Sequence, residues 1–386
     1  MKRPFLFRRV ALVTAGTALI AATYGLVRLA YGLHLPEMSA DLGIDTATAG
    51  KISAAASLVY GGAALLGFVL GATRPRLLVV LAMLTAGGGA AGIALAPDAA
   101  VLAVSAAVSS AGAGLASPAL VRLVHAAFDG DDSDAAQAIV NAGTGPGLVA
   151  AGLIALAVAP DWRVAWLIAA VATLGAGLAV LTLARPADAR SAAARRLPPA
   201  PWWRRHRRPV AAAALFGVGA AAVWNYGRVV MVDAGATESA SVLAWICVGC
   251  GGAAVIATAP LTGRVAPRRV WLIATAVAAA GTAALGAFPG QPLTAAVACA
   301  LFGWGYVAAS GALIGWTTGI DADRAAAGTA ALFVVFMIGQ AAGATVLGAA
   351  LPVAGPTVAF VAAGVLSVGA GLLAAGWRRV PARDVG

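Results

Sequence analysis

Apolar runs of about twenty residues recur from one end of this chain to the other, and each is long enough to cross the hydrocarbon core of a bilayer as a helix. Bounded by Pro, Gly and charge, they lie near residues 10–33, 51–71, 77–96, 101–124, 136–159, 163–184, 210–232, 241–262, 269–288, 293–317, 325–350 and 356–377. The strands of a membrane barrel alternate in polarity residue by residue, and these runs do not. Nor does a soluble fold offer a way out. Of 386 residues, 61% are hydrophobic and 11% charged, against about 25% charged in an average soluble domain. The expected fold class is all-α integral membrane, with twelve transmembrane helices. The run after MKRPFLFRRV exceeds the apolar core of a signal peptide and is read as a retained first span.

Lys and Arg set the orientation. With the intervening segments numbered alternately, all but four of the 26 basic residues fall on one side. The exceptions are Lys51 and Arg163 on the opposite side, and Arg28 and Arg228 inside spans. This predicts a multi-pass protein of the plasma (inner) membrane with both termini cytoplasmic. The net charge of +11 is scattered over short loops and not gathered in a basic domain, so no nucleic-acid partner is expected.

The longest interruption is RPADARSAAARRLPPAPWWRRHRRP. It divides the chain into an N-terminal six-helix bundle (1–184), a cytoplasmic basic linker (185–209) and a C-terminal six-helix bundle (210–386). The linker reads as solvated, with Trp202, Trp203 and its arginines able to touch anionic headgroups. The two bundles repeat each other. GGAA at 61–64 returns at 251–254, Arg74 at Arg264, GAG at 112–114 as GWG at 303–305, and GAGL at 175–178 at 369–372. Arg28 returns as Arg228, and Tyr24, one turn before it, as Trp224. Spans 1 and 7, 2 and 8, 4 and 10, and 6 and 12 correspond in the same orientation, which makes a parallel repeat.

On these motifs the chain resembles the major facilitator superfamily over essentially its whole length. GATRPR at 71–76 and APLTGRVAPRR at 259–269 look like that family's signature after helices 2 and 8, both without its usual Asp. NAGTGPG at 141–147 is similar to the Gly-Pro motif of family antiporters, with Val149 and Ala150 where a Gly pair is usual. DWRVAW at 161–166 looks like the start of helix 6; span 4 keeps Gly112 and Gly114 but has Val108 where an Arg is often found. The resemblance implies two pseudo-symmetric bundles working by alternating access, with helices 1 and 7 along the pathway. It also implies gating or structural roles for Gly145, Pro146, Arg74 and Arg264. No cofactor follows from it, and a monomer is expected.

A guanidinium within the membrane is costly and is usually functional where it is kept. Arg28 and Arg228 each lie about 18 residues into their runs, hence roughly 10 Å beyond the helix midpoint. A snorkelling interfacial arginine is the plain alternative. Against it, both halves use Arg, and an aromatic precedes each by four residues, on the same helix face. The reading is a site where Arg28 and Arg228 grip one small organic or inorganic anion bidentately. Tyr24, Tyr31, Trp224, Asn225 and Tyr226 would add stacking and hydrogen bonds, and Asn141 and Gln340 would line the cavity. All 15 acidic residues fall in loops or at span ends. No membrane carboxylate then neutralises the arginines, with Glu37 or Asp233 at the rim as a structural alternative, and coupling to protons is not expected. Cys247-x-x-Cys250 has neither His nor acid beside it, so no metal is expected; without a nucleophile–base pair the chain is not read as an enzyme. The competing function is an efflux antiporter for amphipathic drugs or metabolites.

Overall fold

The computed structural model describes residues 3–71, 73–128, 130–184 and 198–375. Among them the chain is helical almost throughout, and eleven helices are long and apolar enough to cross a membrane. Spans 1 to 6 are Phe7–Leu42, Thr46–Leu70, Pro75–Ala94, Ala99–His125, Ala135–Val158 and Trp162–Leu183. Spans 7 to 10 are Arg207–Asp233, Glu238–Thr262, Pro267–Ala287 and Pro292–Ile320. The remaining helix, Ala322–Ala375, holds two spans, because Gly355 breaks it with φ 76° and ψ 164°. Only glycine adopts that conformation readily, and Pro352 and Pro356 flank it. Twelve crossings result, as the sequence predicts.

Three of the acidic residues at span ends turn out to be helix caps. Asp45 accepts from the Thr48 amide at 2.6 Å, Asp98 from Ala100 and Val101, and Asp161 from Arg163 and Val164. These caps open spans 2, 4 and 6 at the end of the bundle where the charge-poor loops lie. Thr237 opens span 8 there in the same way. Hydrogen bonds from Thr48 hold the Asp45 carboxyl below the usual carboxylate range.

Small residues set how closely the spans pack. Gly114 lies against the Tyr60 carbonyl of span 2 and Gly112 against Ala82 and Ala86 of span 3. In the second half Gly303 lies against Val248 of span 8 and Gly305 against Ala274 and Ala278 of span 9. Each pair wedges its span between the two preceding ones, with the order of the two glycines exchanged between the halves.

Three segments differ from the sequence-based expectation. Span 1 runs on to Leu42 in three pieces: an α-helix to Ile20, a π-helical segment Ala21–Arg28, and a helix Tyr31–Leu42 that contains Pro36 and Glu37. The apolar run fades at His34, but packing against span 7 keeps the chain helical beyond it. Span 5 is interrupted between Asn141 and Thr144, close before Pro146, which supplies no amide to the ladder.

The third is the linker expected at 185–209, of which 185–197 lie outside the described residues. The rest is ordered into the short helix Ala200–Arg205 and the start of span 7. Trp202 and His206 there are fully buried. The rings stack at 3.6 Å, and His206 Nε2 lies 3.1 Å from the Thr317 hydroxyl of span 10. This end of the linker is therefore docked and not solvated.

Candidate functional site

Arg28 closes the π-helical segment of span 1. Such a segment widens the helix and turns the residues after it to a new direction. The Leu29 amide bonds the Tyr24 carbonyl, five residues back, at 2.9 Å. Span 5 supports the segment from behind, for a Cβ on Gly25 would overlap the backbone of Gly147, and one on Gly147 the backbone of Ala21. Gly145 faces the other way, toward Gly249 and Ala253 of span 8. The Gly-Pro motif thus holds the wall that carries Arg28 on one side and meets the second half on the other.

The Arg28 side chain is half-buried and incompletely satisfied. Nη2 donates to Met337 Sδ at 2.8 Å and to Gln340 Oε1 at 3.3 Å, both on span 11. Its guanidinium carbon stands 4.1 Å from the centroid of the Tyr60 ring, and Nε is buried with no partner. A thioether is a weak acceptor and an amide a neutral one. The Tyr60 hydroxyl is 3.2 Å from that of Tyr24, and Gln340 donates on to Tyr306 at 3.4 Å. Beside this network opens a cavity of about 40 Å³ between the halves. Arg28, Ser53, Ser57, Ser110, Asn225 and Gln340 supply its polar wall, Trp224 and Tyr31 part of the rest, and no lining residue is acidic.

Arg228 does not line that cavity. It is 1% exposed and fully engaged at the charge-poor end. Nη1 and Nη2 donate to Glu37 Oε2 and Oε1 at 2.9 and 2.7 Å. Nε donates to Ser241 at 3.0 Å, and Nη1 also donates to the Leu33 carbonyl. Glu37 belongs to the first half and Arg228 and Ser241 to the second, so the pair ties the bundles together. Next to it Gly32 sits so close to span 7 that a Cβ would overlap the Trp224 carbonyl. The neutralising carboxylate is the rim residue Glu37, lying within the helical part of span 1.

The other expected site residues divide. Trp224, Asn225 and Gln340 line the cavity, and Tyr24 joins its network through the Tyr60 hydroxyl. The Asn225 amide donates to Ala221 at 2.8 Å, and its oxygen accepts from Ser53 across the halves. Tyr31 borders the cavity, its hydroxyl bonded to the Ala49 carbonyl at 3.2 Å. Tyr226 reaches across to other spans instead, donating to Ala344 at 2.6 Å. Asn141 is exposed and accepts from Gln137 at 3.0 Å, and it is not among the residues that line the cavity. Arg74 and Arg264 are exposed at the basic end. It is Arg76 that fixes the end of span 6, donating to the Ala184 and Leu181 carbonyls at 2.8 and 2.9 Å.

Ser53, Ser57, Tyr60, Ser110 and Met337 do not stand out in the sequence. The first three recur at i, i+4 and i+7 on span 2. That spacing puts them on one helix face and is the signal by which they could be found.

A family model described as Major Facilitator Superfamily matches residues 17–344. No curated protein matches the chain. Among solved structures, the nucleoside transporter NupG superposes with a TM-score of 0.77 at 14% identity, over 96% of this chain and 100% of that one. A POT family transporter in complex with 5-aminolevulinic acid gives 0.74 at 14%, over 95% and 94%. At such identity the likeness is one of fold.

Proposed function

The chain belongs to the Major Facilitator Superfamily, and from that premise we propose that it carries a small anionic solute across the plasma membrane by alternating access, with Arg28 as the residue that holds it. The observation that carries this reading is the state of the Arg28 guanidinium. It faces a polar cavity between the halves, keeps only a thioether and an amide as acceptors, and has a buried Nε without one. A cation so poorly compensated is costly in a partly desolvated site. A carboxylate or comparable anion satisfies it best, through bonds stronger than those it has now. Serine hydroxyls and the Asn225 and Gln340 amides suit the polar remainder of such a solute. With no acid in the wall, an ammonium group has no counterpart there.

One arginine, then, takes the role that the sequence assigns to two. Arg228 is the latch of the charge-poor end, and reaches a solute only after Glu37 releases it. Because basic loops stay inside, we assign the basic end and both termini to the cytoplasm, and the closed end to the outside. The protein acts as a monomer in this reading, since each molecule has a complete site between its own halves. Arg74 and Arg264 serve the loops between paired spans, and Gly145 and Pro146 serve the moving contact of spans 5 and 8.

Efflux of amphipathic drugs is the second reading. It is favoured by the aromatic cluster that continues from Trp224 in the cavity wall, where Tyr306 packs with Phe216, Trp224, Phe302 and Phe336 at 5.1 to 6.1 Å. Proteoliposomes separate the two. Saturable uptake of a small labelled carboxylate, lost in Arg28→Gln, is expected. Dye efflux that persists in Arg28→Gln, with no carboxylate uptake in the unmodified protein, would replace the anion reading with the drug reading.

A further inference from the structure

The hydroxyls of the cavity wall bear on the chemistry of the solute. A serine or threonine within a helix can donate back to a carbonyl about one turn earlier. The buried ones in these spans do so or find another partner. Thr23, Ser109, Thr173, Thr275, Thr282 and Ser367 bond to their own helix. Ser53, Ser241 and Thr317 meet Asn225, Arg228 and His206. Ser57 and Ser110 differ. They are 7% and 4% exposed and line the cavity, and neither hydroxyl has a hydrogen-bond partner among the described residues.

The two serines belong to the wall that carries Arg28. Ser57 precedes Tyr60 by three residues on span 2 and so shares its helix face, and the Arg28 guanidinium carbon stands 4.1 Å from the Tyr60 ring centroid. Ser110 precedes Gly114 by four residues on span 4, and Gly114 lies against the Tyr60 carbonyl. The other polar groups of the wall are engaged already. Ser53 bonds Asn225, whose amide bonds Ala221, and Gln340 bonds Arg28 and Tyr306. What stays open is one cation, Arg28 with its partnerless Nε, and two hydroxyls that can each donate and accept.

We propose that the solute is a hydroxylated monocarboxylate, its carboxylate held by Arg28 and its hydroxyl groups by Ser57 and Ser110. This rests on the anion reading of Arg28 and narrows it to a chemical class. A second carboxylate would enter a wall whose lining holds no second cation. An ammonium group would meet no carboxylate there. An acid without hydroxyls would strip water from Ser57 and Ser110 and return no hydrogen bond, and a site built for hydrogen bonding rejects such a ligand strongly. Arg28 thus supplies affinity common to monocarboxylates, and Ser57 and Ser110 determine which of them is selected.

The test is calorimetric titration of the purified full chain at neutral pH with four three-carbon probes: glycerate, propionate, malonate and free serine. Glycerate is expected to bind saturably. Propionate lacks the hydroxyls, malonate adds a second carboxylate and free serine adds an ammonium group. Each is expected to bind about tenfold more weakly or worse. In Ser57→Ala and Ser110→Ala the preference for glycerate over propionate is expected to shrink toward unity while propionate binding holds. A purely structural role would weaken both ligands together, and that result overturns the proposal. So does propionate, malonate or free serine binding the unmodified protein as tightly as glycerate, whether or not the variants fold. Equal binding of propionate or malonate, lost in Arg28→Gln, leaves the anion reading standing without the hydroxyl claim. No binding of glycerate, propionate or malonate overturns both.

Discussion

Arg228 and Glu37 face each other fork to fork across the boundary between the two bundles, at 2.9 and 2.7 Å. The arginine is 1% exposed and the carboxylate side chain 17%. A pair so shielded from water behaves differently from the exposed Arg163–Asp41 contact nearby, whose side chains are 34% and 47% exposed. Exposed pairs contribute about 1 kcal/mol or less.

Removing one partner of a buried pair costs about 3–5 kcal/mol, because the other charge is left uncompensated. Glu37→Ala is therefore expected to destabilise the closed charge-poor end relative to the open one. A Ser57→Cys reporter on the cavity wall, in a background without Cys247, Cys250 and Cys299, then becomes reactive to an impermeant maleimide from the charge-poor side. The charge exchange Glu37→Arg with Arg228→Glu is expected to restore part of the protection.

Gly32 tests the same closure without touching charge. A methyl at this position overlaps the Trp224 carbonyl, and backbone cannot step aside as a side-chain tip would. Gly32→Ala is expected to raise Ser57→Cys labelling in the same assay. Gly62→Ala, where a Cβ meets open space, is expected to leave it unchanged.

Much of this is legible from the residues alone, and the reasons are physical. Twelve crossings follow from apolar run lengths, because lipid permits few other structures. The repeat is legible because small residues must return wherever spans touch closely. Arg28 stands out because a guanidinium within a span is costly. The fate of Arg228 is harder to read. Glu37 sits beyond the end of the apolar run, and only the continued helix Tyr31–Leu42 swings it over span 7. The serine face of span 2 is easily overlooked because serine is neutral enough to pass unnoticed among alanines.

The linker supplies a pH prediction. Burial pushes the His206 imidazole below its ordinary value, against the opposing effect of its bonds to Trp202 and Thr317. A histidine whose docked form resists protonation contributes its full stability above its ordinary value of about 6.5 and loses it as the pH falls through and below that point. Docking of Ala200–Arg205 is thus expected to weaken on acidification, seen as faster amide hydrogen exchange over residues 200–206. In His206→Gln this pH dependence is expected to vanish.

Within the cavity, Arg28→Lys separates charge from shape. Lysine keeps the charge but not the planar fork. Losing one charge-assisted hydrogen bond of about 1.5–3 kcal/mol corresponds to roughly ten- to a hundredfold weaker anion binding. Competition binding against the unmodified protein reads this directly.

The most direct test of the central claim is the thermal stability of the purified protein against a panel of small carboxylates and inorganic anions at fixed ionic strength. A ligand that binds only the folded state raises the melting temperature in a saturable way. The account predicts such a rise for at least one anion, and its loss in Arg28→Gln protein that still elutes as a folded species. A saturable rise of equal size in Arg28→Gln, or none for any anion with the unmodified protein, would contradict it.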